Sequence, residues 1–94
     1  MMLSLDQAEI LGFEAVAWLA GDDDLFGTFL GASGADRQSF AQGNIPHEML
    51  IAVLDFILSN DNWVRDFCDS KARKYEQPMI AREVLGGGDL QNWT

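Results

Sequence analysis

The chain has 94 residues, 48% of them hydrophobic, with 15 acidic and 6 basic side chains and a formal net charge of −9. That length holds one domain, and the apolar share, counted without glycine, lies above the usual globular figure of about 45–50% that includes it, so the chain reads as one folded domain and not as a disordered tail. So acidic a balance lacks the positive footprint that nucleic acid and anionic membranes require, and neither is expected as a partner.

Cys68 is the single cysteine, which excludes an internal disulfide and suits a reducing compartment. The N-terminal stretch MMLSLDQAEILGFEAVAWLA has no basic leader, and Asp6, Glu9 and Glu14 interrupt its apolar residues. It therefore reads as neither a signal peptide nor a membrane span, and the cytoplasm is the expected location.

In chain order the first element is a helix over roughly residues 4–20. Ser4 and Gln7 have capping-box spacing, Ile10, Phe13 and Ala17 recur with Leu11 and Trp18 at helical intervals, and Gly21 stops the run. Asp22, Asp23 and Asp24 then set carboxylates at the positive end of a second helix, with Leu25, Phe26, Phe29 and Leu30 on one face and Gly31 and Gly34 ending it. Ser33 and Asp36 offer caps for a turn or two around Phe40, closed by Gly43.

Pro46 suits the first position of a fourth helix, where its missing N–H would have no partner in any case. In its body, MLIAVLDFIL (Met49 to Leu58), Asp55 carries the one charge, and Glu48, Ala52, Asp55 and Ser59 make a narrow polar strip. Such a cylinder is predicted to be the central, nearly surrounded helix. Asn60 or Asp61 caps a fifth helix with Trp63, Val64, Phe67, Cys68 and Ala72 facing inward, and Pro78 opens a sixth, Met79 to Leu85, closed by Gly86. No stretch alternates with period two for long enough to make a strand. The expected fold is all-α, a compact bundle of five or six short helices.

The two halves also resemble each other. A shift of 38 positions superposes Trp18-Leu19 on Phe56-Ile57, Asp23 on Asp61, Leu25 on Trp63 and Phe29 on Phe67. Two units fall short of the three or more that a solenoid needs, so the reading is a closed pseudo-repeat packed face to face.

Several stretches together, WLAGDDDLFGTFLGASG, VLDFIL and PMIAREVLGGG with a late tryptophan, resemble the small bacterial family catalogued as domain of unknown function 3572. The likeness spans almost the whole chain and rests on packing features: an apolar helix ending in an acidic cap, a Phe-Leu pair, and an Ala-Arg helix ending in Gly-Gly. The chain departs from the pattern in the loop Lys71 to Gln77, KARKYEQ, where the resemblance implies a glycine and a shorter turn. It implies an all-helical fold and a bacterial cytoplasmic origin. It implies no activity, so it assigns no functional residue.

Catalytic, cofactor and metal chemistry all lack their signatures. The Asp22–Asp24 triplet invites a hard cation, yet an EF-hand register would place ligand positions on Phe26 and Thr28, with no glutamate at the twelfth place, so helix capping is the expected role. His47 is the one histidine and reads as solvated polar surface beside Glu48, while Cys68 on an apolar helix face reads as inert packing. The Gly86–Gly88 run follows a helix and precedes no lysine, so it cannot form a phosphate loop. No Ser-His-Asp or Cys-His arrangement stands at a recognisable spacing, and the chain is read as a non-enzyme.

Charge distribution is the most informative remaining feature. Residues 1–62 hold ten acids and one base, Arg37, whereas residues 63–94 hold five of each, the bases being Arg65, Lys71, Arg73, Lys74 and Arg82. One reading is that these bases balance carboxylates across the fold. The other is a protein-partner surface made by Arg65, Lys71, Arg73, Lys74 and Tyr75, since tyrosine and arginine are enriched where interfaces concentrate their energy. The best functional expectation is a small interaction or regulatory module, using that region or apolar surface left on the second helix. The alternative is a helical domain enclosing a small molecule or lipid. Domain limits are set at 1–88, with a tail of residues 89–94 packed back through Leu90 and Trp93; a free tail would instead offer Trp93 to the partner.

Overall fold

Ser4 opens the first helix, α1 (Leu5–Ala20), with the capping box its spacing predicts: its hydroxyl accepts from the Gln7 amide at 3.1 Å and the Gln7 side chain accepts from the Ser4 amide at 2.9 Å. In the computed structural model, which describes residues 2–43 and 45–87, five helices follow. They are α2 (Asp23–Ser33), α3 (Arg37–Ala41), α4 (His47–Leu58), α5 (Asp61–Lys71) and α6 (Gln77–Leu85), and there is no strand among the described residues. The all-α bundle is therefore as expected.

Caps explain most of the boundaries. Asp22 accepts from the Leu25 amide at 3.1 Å, Asp36 from the Gln38 amide at 3.1 Å, and Asn60 from the Asn62 amide at 2.9 Å, each satisfying a donor that the first turn leaves open. Three expectations shift. Gly31 lies inside α2, which runs on to Gly34. Pro46 is the residue before α4 and not its first helical one, because its extended ψ of 155° breaks the helical path. Ser33 caps no helix; its hydroxyl accepts from the Ala35 amide in a local turn.

α4 packs against α1, α2, α5 and α6, which makes it the central helix its sequence predicts. Leu50, Val53, Leu54 and Ile57 are buried along it, while Glu48, Asp55 and Ser59 of the polar strip stay exposed. Around this axis the core gathers Ala8, Leu11, Ala15 and Leu19 of α1, Phe26 and Phe29 of α2, Phe67 of α5, and Ala81 and Leu85 of α6. Phe40 of α3 meets Phe26 and Phe29 edge-on, with ring centroids 5.2 and 6.0 Å apart, and Arg37 lies 4.8 Å over the Phe26 ring.

The internal likeness is expressed in the backbone. α2 and α5 have equal length and start 38 positions apart, each opened by a side-chain cap and closed by a left-handed residue, Gly34 at φ 74° and Ala72 at φ 55°. α1 and α4 pack on each other, and their equivalent positions Gly12 and Leu50 touch: a Cβ on Gly12 would stand 3.3 Å from the Leu50 Cβ. Glycine there permits the close approach of the two helices. The third helices differ, α3 having 5 residues and α6 having 9. Gly86 caps α6 and Gly87 turns the chain at φ 77°, as expected of that pair. The expected return of residues 89–94 through Leu90 and Trp93 lies outside the described residues.

Candidate partner-binding groove

The connection from α5 to α6 takes its geometry from one residue. Ala72 adopts the left-handed conformation that usually falls to glycine, so the Arg73 amide can reach back to the Cys68 carbonyl at 2.9 Å and close α5. Ala72 therefore does not face inward with Phe67 and Cys68, as its helical spacing suggested; it is an exposed cap. Lys74 and Gln77 then close a turn, the Gln77 amide donating to the Lys74 carbonyl at 3.1 Å.

Side chains fasten this loop at three points. The Arg73 guanidinium donates through Nε to Glu14 Oε1 of α1 at 2.7 Å and through Nη1 to Gln77 Oε1 at 2.9 Å. The Tyr75 hydroxyl donates to Asp69 Oδ1 at 2.8 Å, and this hydrogen bond raises the phenol above its ordinary pKa by favouring the protonated form. Cys68 Sγ donates to the Lys74 carbonyl at 3.6 Å. Burial, reinforced by neighbouring Asp69, raises the thiol above its ordinary pKa, the opposite of what a nucleophilic cysteine needs.

Between α5 and the start of α6 this leaves a groove of about 430 Å³ lined by Leu58, Asp61, Val64, Arg65, Tyr75, Glu76 and Met79. Its floor is apolar, from Leu58, Val64 and Met79, and its rim carries both signs, Asp61 and Glu76 against Arg65. Tyr75 and Met79 are 50% and 56% exposed, so two large side chains sit half in water on a loop and helix that are otherwise fixed.

The residues singled out by sequence divide in three. Arg65 and Tyr75 line the groove, and Lys71 and Lys74 are exposed outside its lining. Arg73 is partly buried, its side chain 19% exposed, and is spent on Glu14. Arg82 is also paired, on the surface, gripping both oxygens of the exposed Asp55 at 2.7 and 3.2 Å and so tying α6 to α4. The reading in which bases balance carboxylates across the fold thus holds for Arg73 and Arg82. Trp93 lies outside the described residues. Met79 was not singled out, although a signal exists: Pro78, Ala81 and Leu85 form the buried stripe of α6, which puts Met79 off that stripe.

His47 is exposed, as its reading as polar surface expects, but it also has a structural partner. Its Nε2 lies 2.6 Å from the Leu85 carbonyl, which can only accept, so Nε2 carries the hydrogen and closes the last turn of α6. Its Nδ1 is 3.9 Å from Glu9 Oε2. A second, shallow depression of about 380 Å³ lies between α2 and α4, lined by Phe29, Ala32, Phe56 and Ser59 among others. Among the described residues no group of three His, Cys, Asp or Glu side chains is placed to hold a metal ion, and no helix is long and apolar enough to cross a membrane.

A family described as protein of unknown function (DUF3572) matches residues 5–88. The chain belongs to this family. The match takes in all six helices, so every wall of the groove lies within the DUF3572 region. No curated protein and no solved structure matches the chain.

Proposed function

We propose that this DUF3572 chain is a small non-catalytic interaction or regulatory module that binds a protein partner in the groove between α5 and α6. One observation carries the reading: Tyr75, on a loop fastened by the Tyr75–Asp69 and Arg73–Glu14 hydrogen bonds, stands half exposed beside Arg65 at an apolar floor to which the half-exposed Met79 of α6 contributes. A preorganised aromatic with a flanking arginine is the composition in which interfaces concentrate binding energy, and a fixed loop loses little entropy when a partner docks. Lys71 and Lys74 lie outside the groove lining, where charge acts on encounter rate more than on affinity. We place the module in a bacterial cytoplasm on the strength of its single cysteine and its resemblance to a bacterial family.

The volume alone would suit a small molecule or lipid. Such sites, however, orient their ligand with a few enclosed polar groups, and the described residues bury no polar or charged side chain. The open groove with a charged rim better fits a protein side chain inserted from outside.

Affinity capture with the wild-type chain and with Arg65→Glu/Tyr75→Ser, both checked for unchanged thermal unfolding, tests the reading. A protein retained by the wild type and lost by the variant supports it. Equal capture by both refutes it.

A further inference from the structure

The outer face of α1 offers a second surface that shares no residue with the groove. α1 carries large apolar side chains on its outer face as well as on its inner one. One stripe, Ala8, Leu11, Ala15 and Leu19, is buried in the core, and a second, Ile10, Phe13 and Ala17, points outward with Ile10 55% and Phe13 45% exposed. An ordinary surface helix turns charged and polar residues to solvent. Among the described residues nothing covers this stripe.

Its surroundings state the chemistry of what would. α1 contains no lysine or arginine; its charges are Asp6, Glu9 and Glu14, and the exposed Asp22, Asp23 and Asp24 follow its C-terminal end. Glu14 is matched by Arg73 and Glu9 faces His47, whereas Asp6 and the triplet make no ion pair among the described residues. Carboxylates thus stand at both ends of the apolar stripe.

We propose that the outward face of α1 docks an amphipathic helix of another protein, with an apolar stripe that packs on Ile10, Phe13 and Ala17 and with lysines or arginines that meet Asp6 and Asp22–Asp24. A helix laid along a helix buries such a stripe by interlocking side chains, and opposite charge at the ends sets its register. A second copy of the chain fits poorly. Antiparallel pairing about Phe13 sets Asp6 of one copy beside the other copy's acidic triplet, parallel pairing sets each acid against itself, and each copy brings a net charge of −9.

The test uses a synthetic amphipathic helix of about four turns, matching the length of α1, with leucines on one face and lysines beside them. Binding is read by fluorescence anisotropy against the full chain. Ile10→Gln/Phe13→Gln should weaken it by at least about tenfold, as should scrambling the peptide so that its leucines no longer share a face. Asp6→Lys/Asp23→Lys should weaken it as well, and raising salt from about 50 to about 300 mM should reduce affinity severalfold for the wild type and less for this variant. Met79→Gln, in the groove, should leave it unchanged, and thermal unfolding verifies that each variant folds. Binding insensitive to Ile10→Gln/Phe13→Gln would reduce the effect to bulk charge and overturn the proposal. So would loss of binding on Met79→Gln, a dimer in sedimentation that Phe13→Gln dissolves, or a large gain in affinity on deleting residues 88–94, which would make that segment the occupant.

Discussion

Ala72 and Gly34 occupy equivalent places in the two halves, both left-handed, yet only one of them is glycine. A Cβ in that conformation costs about 1–2 kcal/mol, which Gly34 avoids and Ala72 bears. Ala72→Gly should therefore raise stability by about 0.5–1 kcal/mol after the added freedom of the unfolded chain is subtracted, and Gly34→Ala should lower it by about 1 kcal/mol. Urea denaturation of both variants checks the pair, and a loss on Ala72→Gly would show that the loop needs more than the backbone angle. Arg73 and Lys74 separate in the same way. Arg73→Glu, which sets a carboxylate against Glu14 in a partly buried site, should cost about 1–3 kcal/mol, whereas Lys74→Glu on the open surface should stay within about 0.5 kcal/mol. Their adjacency in sequence concealed this difference, because nothing local marks which of two neighbouring bases will find an acid on another helix.

At the scale of elements, the helices were legible because their determinants are local. Ser4 with Gln7, Asp22, Asp36 and Asn60 cap where their spacing places them, and the apolar run of α4 marks the central helix without knowledge of its neighbours. Three-dimensional facts were less legible. The stripe Ile10, Phe13 and Ala17 has the same helical spacing as the buried one, and which of them turns inward depends on where α4 and α6 lie. For His47, the partner is the Leu85 carbonyl, far along the chain and invisible to any motif. α2 shows a further consequence of local sequence. Gly27 and Gly31 lie within it on open surface, where an added Cβ would meet nothing within 4 Å. Gly27→Ala and Gly31→Ala should each stabilise the chain by about 0.5–1 kcal/mol through helix propensity, measured by thermal unfolding. A clear loss at either position would mean that this face of α2 is occupied.

For the molecule as a whole, its acidity and its spent arginines shape both stability and binding. Cys68 links the core to pH. Its thiol is raised by burial from an ordinary value of 9.0, so above that pH the unfolded chain releases its proton more readily than the folded one. Its contribution is fully present below about pH 9 and is lost as pH climbs further, and Cys68→Ala should flatten that alkaline decline in denaturation curves. In the groove, Tyr75 and Arg65 were legible as residue types suited to an interface, while Leu58, Val64 and Met79 joined them only through the packing of α5 against the following turn. The central claim is that the partner enters this groove. Mapping amide NMR shifts on the chain as the captured partner is added tests it most directly. The account predicts the largest changes at Leu58, Val64, Arg65, Tyr75 and Met79, and changes that leave Tyr75 and Met79 untouched while concentrating on Ala32, Ser33 and Phe56 between α2 and α4 would contradict it.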